Sequence, residues 1–156
     1  MIRDLVEKSR SYRGYDAGRS VTRQELEYLV GCARLCPSSI NRQPLKYYLA
    51  WKPEQTAKIQ PLTGWARALQ PMKLPHPGHC PPAFIVICQD MQVDDAPQRY
   101  LRDVGAVAQT MLLAATEKGL GGCMIANFSA KLLQQALGLT DTPHPPLVVA
   151  IGKPDE

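Results

Sequence analysis

The chain has 156 residues, 45% of them hydrophobic and 21% charged, with a formal net charge of +4. That is enough for one domain with a single core and too apolar for a disordered chain. No apolar run approaches the roughly 20 residues needed to cross a bilayer, and the mild positive charge fits a small anionic ligand without pointing to nucleic acid.

The opening MIRDLVEKSR mixes charge with apolar residues at helical spacing. It predicts a short helix fraying near Ser9, and it lacks the continuous apolar stretch of a secretion signal, so a cytoplasmic location is expected. SVTRQELEYLVGCARLCP reads as a helix. Thr22 and Glu25 form a T-x-x-E capping box, and Leu26, Leu29, Val30 and Ala33 follow at i, i+3, i+4 and i+7. Pro37 stops it, because the residue before a proline is pushed out of helical geometry. LKYYLAW predicts a strand, and Pro53 to Gln60 and Gly64 to Leu69 predict short helices.

Gln70 to Pro82, with prolines at 71, 75, 77, 81 and 82, is expected to be a loop within the domain. AFIVIC has the continuous apolar character of a buried central strand. Leu101, Val104, Val107, Ala108, Met111, Leu112 and Ala115 recur at helical spacing, with Gly119 as the stop. GGCMIANF is short and glycine-led. Ser129 caps a helix through Leu137 that Gly138 ends, and LVVAIG predicts a last buried strand. The sum is a mixed α and β domain without a regular βαβ series.

Five cysteines, at 32, 36, 80, 88 and 123, are odd in number and scattered, unlike a disulfide framework, and are read as reduced thiols without a functional role. A metal site from Cys32, Cys36, His76, His79 and Cys80 has spacings that match no common zinc module. The three histidines, including His144, are expected in proline-rich loops. There is no GxSxG elbow, no GxGxxG fingerprint and no Walker-type GK[ST]. With no evident protein nucleophile, any catalysis points to a cofactor that carries the chemistry.

Two stretches stand out. SRSYRGYD puts Arg10, Ser11 and Arg13 within four residues, a set able to close on a phosphate or simply to form a solvated basic turn. PSSINRQP sets Asn41 and Gln43, each with a donor and an acceptor, beside small Ser38 and Ser39. Such groups match the edge of a heterocycle, or satisfy the loop's own backbone in Asx and Ser turns.

SRSYRGYD, ARLCPSSINRQPLKYYLA, DVGAVAQTMLLAATEKGLGGCMI and LVVAIGKPDE, in this order, resemble the motifs of the nitroreductase family of flavin enzymes, in its smaller branch. The resemblance spans nearly the whole chain. PSSxNxQP and the segment from Gln109 to Gly121 are its most specific parts. It implies an α+β fold with a mixed central sheet flanked by helices, and an intertwined homodimer with two FMN sites at its interface.

By the same resemblance, Arg10, Ser11 and Arg13, with Tyr12 between them, would grip the FMN phosphate and ribityl end. Pro37, Ser38 and Ser39 of the other subunit would lie along the flavin. Asn41 and Gln43 would bond the ring or ribityl chain or set the loop. The backbone of Met124, Ile125, Ala126 and Asn127 would face the flavin N5 edge, and Gly152 and Lys153 would end the last strand near the phosphate. NAD(P)H would reduce the flavin and leave, and a nitroaromatic, quinone or similar small acceptor would then enter the same face. No side chain need act as acid or base, so no catalytic residue is named. Two departures from the family pattern are Ser9, where an Arg often precedes the first motif Arg, and an end at Glu156, so that residues 1–156 are expected to form one domain lacking the usual C-terminal tail. The rival reading is a flavin-binding storage or sensor protein without turnover.

Overall fold

A computed structural model of the chain describes residues 1–140 and 143–155. Glu156, the last residue of the C-terminal motif, lies outside them. Five helices and four strands follow in the order α1 (Ile2–Lys8), α2 (Arg23–Ala33), β1 (Leu45–Ala50), α3 (Pro53–Ile59), β2 (Ala83–Asp90), α4 (Leu101–Glu117), β3 (Gly121–Ile125), α5 (Ala130–Leu137) and β4 (Pro143–Gly152).

The strands form one sheet in the order β1-β2-β4-β3, and the three ladders between them are antiparallel. The parallel component is a bridge between Ser11 and Gly122, by which the N-terminal arm lies beside β3. β2 is buried along its whole length because both of its faces are covered. Ala83, Ile85 and Ile87, with Val149 and Ile151 of β4, face α2 and α4 and pack on Leu26, Leu29, Val107, Ala108 and Met111. The alternate residues Phe84, Val86 and Cys88, with Val148 and Ala150, face Ile59, Trp65 and Leu133 around α3 and α5. This two-residue alternation within a continuous apolar run is what a central strand between two helical layers requires. Truncating a side chain in either layer, Phe84→Ala for instance, would cost about 3–5 kcal/mol.

Local signals act where expected at the helix ends. Thr22 accepts from Glu25 N and the Glu25 carboxylate accepts from Thr22 N, completing the capping box of α2. Ser129 accepts from Leu132 N, and Gly138 at φ 64° ends α5.

Three expectations need correction. Gly64 to Leu69 holds only one 3₁₀ turn, Arg67–Leu69, entered through left-handed Ala66. β4 starts at Pro143, four residues before LVVAIG, so His144 is a strand residue. Pro145 and Pro146 lack the donor a ladder needs, and they fit because the register slips between Ile87 and Gln89 opposite them and β3 reaches only to Val148 on the other side.

Candidate functional site

One edge of the sheet gathers most of the residues expected to bind a cofactor. Tyr12 N donates to Gly122 O at 3.0 Å, and Asp16 N donates to Lys153 O at 2.9 Å. The arm carrying Arg10, Ser11 and Arg13 is thus stitched between β3 and the segment after β4. Gly121 and Gly122 permit the close approach. A Cβ on Gly121 would lie 2.6 Å from the Tyr12 ring, and one on Gly122 would collide with the Ala150 carbonyl. Tyr15 anchors the arm: it is fully buried, donates its hydroxyl to Tyr12 O at 2.7 Å, and meets Trp65 edge to face at 6.4 Å.

Arg10 is exposed and its Nε donates to Glu7 O at 2.9 Å, while a terminal nitrogen of Arg13 donates to Ser11 O at 3.2 Å. Local backbone carbonyls therefore orient both guanidinium groups. Gly152 is buried at the end of β4. Lys153 is exposed and pairs with Asp16 at 3.1 Å. A backbone hydrogen bond from Gly18, and then that lysine, hold the Asp16 carboxyl below its ordinary range.

Past this seam β3 turns outward. Ile125 is buried, but Met124, Ala126 and Asn127 are exposed. Asn127 O accepts from Gly64 N at 2.8 Å, and an added Cβ on Gly64 would strike the Asn127 side chain. From Gly122, beside Ser11, to Ile125 is three residues of strand, roughly 10 Å. A five-carbon ribityl chain can bridge that spacing between a phosphate and a ring.

The PSSINRQP loop is elsewhere. It enters β1 at the opposite sheet edge, and Leu45 pairs with Gln89, which pairs with His144. Three strand spacings across and seven residues along β4 put the loop on the order of 25 Å from Gly122. One chain therefore does not bring Pro37, Ser38, Ser39, Asn41 and Gln43 to the arginine arm.

The loop's shape is strained. Ile40, Asn41 and Gln43 have φ of 49°, 54° and 54°. Asparagine tolerates this left-handed region, whereas a β-branched isoleucine there is an outlier. Asp103, only 7% exposed on α4, holds the loop. Its carboxylate accepts from Ser38 Oγ at 2.7 Å and from Ser39 N at 3.1 Å, and Ser38 Oγ accepts from Gln43 N at 3.0 Å. Arg42 donates to Val93 O at 3.2 Å, and Asp90 N donates to Pro44 O at 2.7 Å. Lys46, 2.6 Å from Asp90, holds that carboxyl below its usual range. Asp94 is lowered in the same way, first by the Tyr100 hydroxyl. A cavity of about 220 Å³ under the loop is lined in part by Arg34, Cys36, Gln43, Tyr47 and Asp103. Burial pushes the Tyr47 phenol up to about 12.

Asp103 was missed as a site residue. Its signal in the sequence is a charge set among Val104, Val107 and Ala108 on the apolar face of α4. Burial pushes the Cys88 thiol up to about 12, so it stays protonated.

The profile of the Nitroreductase family matches residues 6–153. The chain belongs to the nitroreductase family. A relative from Archaeoglobus fulgidus, provisionally named NADH dehydrogenase/NAD(P)H nitroreductase, is 25% identical over 97% of this chain and 84% of its own length. Among solved structures, a provisionally named nitroreductase from Exiguobacterium sibiricum, in complex with FMN, superposes with a TM-score of 0.83 at 21% identity, covering 100% of this chain and 89% of the other. A nitroreductase family protein from Clostridium difficile gives 0.78 at 23% identity, covering 100% and 85%. These similarities establish the nitroreductase fold. Among the described residues no helix is long and apolar enough to cross a membrane.

Proposed function

We propose that the protein is a cytoplasmic FMN-dependent oxidoreductase that passes reducing equivalents from NAD(P)H to a nitroaromatic, quinone or similar acceptor in a ping-pong sequence. Residues 1–156 would act as one such domain, working as a homodimer. The observation that carries this reading is the stitching of the arginine arm to β3. Ser11 stands at Gly122, one ribityl length from the exposed residues Met124, Ala126 and Asn127. The donor set fits a mononucleotide: guanidinium and hydroxyl groups at one end, and the exposed end of β3 at the other.

FMN, when bound, supplies the redox chemistry that no side chain here offers. Arg10, Ser11 and Arg13 hold its phosphate through charge-assisted hydrogen bonds. Main-chain groups of Met124 to Asn127 face the reactive edge of the ring, and Gly152 and Lys153 border the phosphate end. The second copy's Pro37, Ser38, Ser39, Asn41 and Gln43 cover the ring and exclude water. What supports a shared site is the separation of the two half-sites within one chain, on the order of 25 Å.

Purified protein should be yellow, release FMN on denaturation, and oxidise NAD(P)H steadily only with a quinone or nitroarene present. Flavin without turnover would favour a storage or sensor role. The shared site has its own test. Arg10→Ala/Arg13→Ala copies mixed with Asn41→Ala/Gln43→Ala copies should regain roughly a quarter of the native sites, because a mixed two-fold dimer holds one intact site. No gain on mixing would mean that each chain builds its site alone.

A further inference from the structure

The cavity that contains Ser11 and Arg13, about 360 Å³, has a wall that the flavin reading above does not use. It comes from the proline-rich stretch between α3 and β2, which contributes Met72, Leu74, His76 and His79, and from Asp155 near the C-terminal end. This wall is tied to the arm at several points. Tyr15 N donates to His79 O at 3.0 Å, and Asp155 N donates to Gly14 O at 3.3 Å. His79 N closes a turn onto His76 O at 2.9 Å. The His79 Nδ1 is hydrogen-bonded to the Asp155 carboxylate, which leaves Nε2 as the ring nitrogen open to a ligand. A Cβ on Gly14 would meet the Asp155 carboxylate at 2.6 Å, so this pair lies close over the arm backbone.

We infer that His79, held by Asp155, is a ligand of the phosphate monoester at the Ser11–Arg13 end of the site. The proline-rich loop is then the third side of that phosphate site. The inference rests on the FMN reading and adds a residue to it. Its chemistry follows from the charges at this end. A phosphate monoester carries nearly two negative charges. Lys153 is already engaged by Asp16, so Arg10 and Arg13 need a further donor. The imidazole would then lie between two acceptors, the Asp155 carboxylate at Nδ1 and a phosphate oxygen at Nε2, and hydrogen-bond to each. Leu69, Met72 and Leu74 make the rest of the wall apolar, so the polar groups of this cavity are gathered at the arm, the histidines and Asp155.

The test is flavin binding rather than turnover. Flavin-free wild type, His79→Ala and His79→Gln are titrated with FMN and with riboflavin, following flavin fluorescence, and with inorganic phosphate as a competitor. His79→Ala should bind FMN roughly tenfold more weakly while its riboflavin affinity is unchanged. His79→Gln, whose amide can donate from a similar position, should recover most of the loss. Inorganic phosphate should compete with FMN but not with riboflavin in wild type, and the His79→Ala variant should be less sensitive to it. If His79→Ala keeps the wild-type preference for FMN over riboflavin, the inference is wrong and the flavin reading stands. Equal weakening toward both flavins would make the loop a wall without a phosphate ligand and would also overturn it. Wild type that binds neither flavin would remove both readings together.

Discussion

The arginine arm and the PSSINRQP loop would serve one cofactor, yet they are built by opposite means. The arm is held by main chain. It is bridged to Gly122 and bonded to Lys153 O, with Gly121 and Gly122 clearing space for it. The loop gains nothing from a ladder. Three of its residues take left-handed backbone, and a single buried carboxylate, Asp103, gathers its hydroxyl and amide donors. Such strain persists only where the surroundings over-determine it, and it concentrates at binding sites. A phosphate needs donors at fixed positions, which extended backbone supplies directly. The loop departs from extended geometry and leaves Asn41 and Gln43 exposed, as a wall against a flat ring would require.

The comparison predicts where each region breaks. Asp103→Ala should have the largest effect. It leaves the Ser38 hydroxyl and Ser39 N–H without their charged acceptor, at a cost of about 3 kcal/mol. A fall in Tm of roughly 6–12 °C is expected for a domain of this size, together with loss of FMN. Asp103→Asn should be milder because its amide oxygen still accepts. Thermal melts with and without FMN would measure both, and an unchanged Tm for the alanine variant would mean the carboxylate does not shape the loop. Next is the arm. Gly122→Ala forces a methyl group against the Ala150 carbonyl, which no rotamer change relieves, and should cost about 2–3 kcal/mol. It should weaken FMN and riboflavin alike, since the whole arm is displaced.

Much of this was legible because the signals are local. The capping box of α2, the apolar run of β2, the spacing along α4 and the Ser129 and Gly138 ends of α5 are each written within a few residues. The arginine cluster and the carboxamide loop could be named as candidates, but the first also fitted a solvated basic turn and the second an Asx or Ser turn serving its own backbone, and only their resemblance to one family assigned them to one site. What stayed hidden depends on distance in the chain. Asp103 is 64 residues from Ser39, and Asp155 is 76 from His79, so no window of sequence shows either pairing. β4 hid its first four residues behind prolines whose missing donors are tolerated only because of a slip in the neighbouring strand. Gly64 to Leu69 lost its helix where Ala66 takes left-handed backbone, two residues after Gly64 N donates to Asn127 O, a partner 63 residues away in the chain.

A smaller effect separates charge from shape in the arm. Arg10→Ala and Arg13→Ala should each weaken FMN roughly tenfold or somewhat more, at 1.4 kcal/mol per tenfold, and leave riboflavin binding as it was. Lysine at either position should restore only part of the loss, because it brings the charge without the planar fork. Paired titrations with the two flavins read this directly. Wild-type FMN affinity in both alanine variants would make the cluster a solvated basic turn.

The smallest effect concerns Ile40, where the strain of the loop is most exposed. Its φ of 49° puts a β-branched side chain in left-handed backbone, and at 72% exposure that side chain gains little packing within its own chain. Asparagine adopts this conformation more readily and adds no backbone freedom to the unfolded chain. Ile40→Asn should therefore stabilise the isolated chain by about 1 kcal/mol, or roughly 2–4 °C. The same substitution removes an apolar group that, if the loop covers a neighbour's cofactor, is buried on association. Stability should then depend on concentration in opposite ways. At low protein concentration the variant melts above wild type, and as concentration rises wild type gains on it because only wild type recovers the burial of Ile40. Melts across a wide concentration range give both arms. A variant less stable than wild type at the lowest concentration would remove the strain argument. Parallel curves would place the loop outside the interface and leave the arginine arm to bind its cofactor without a partner's wall.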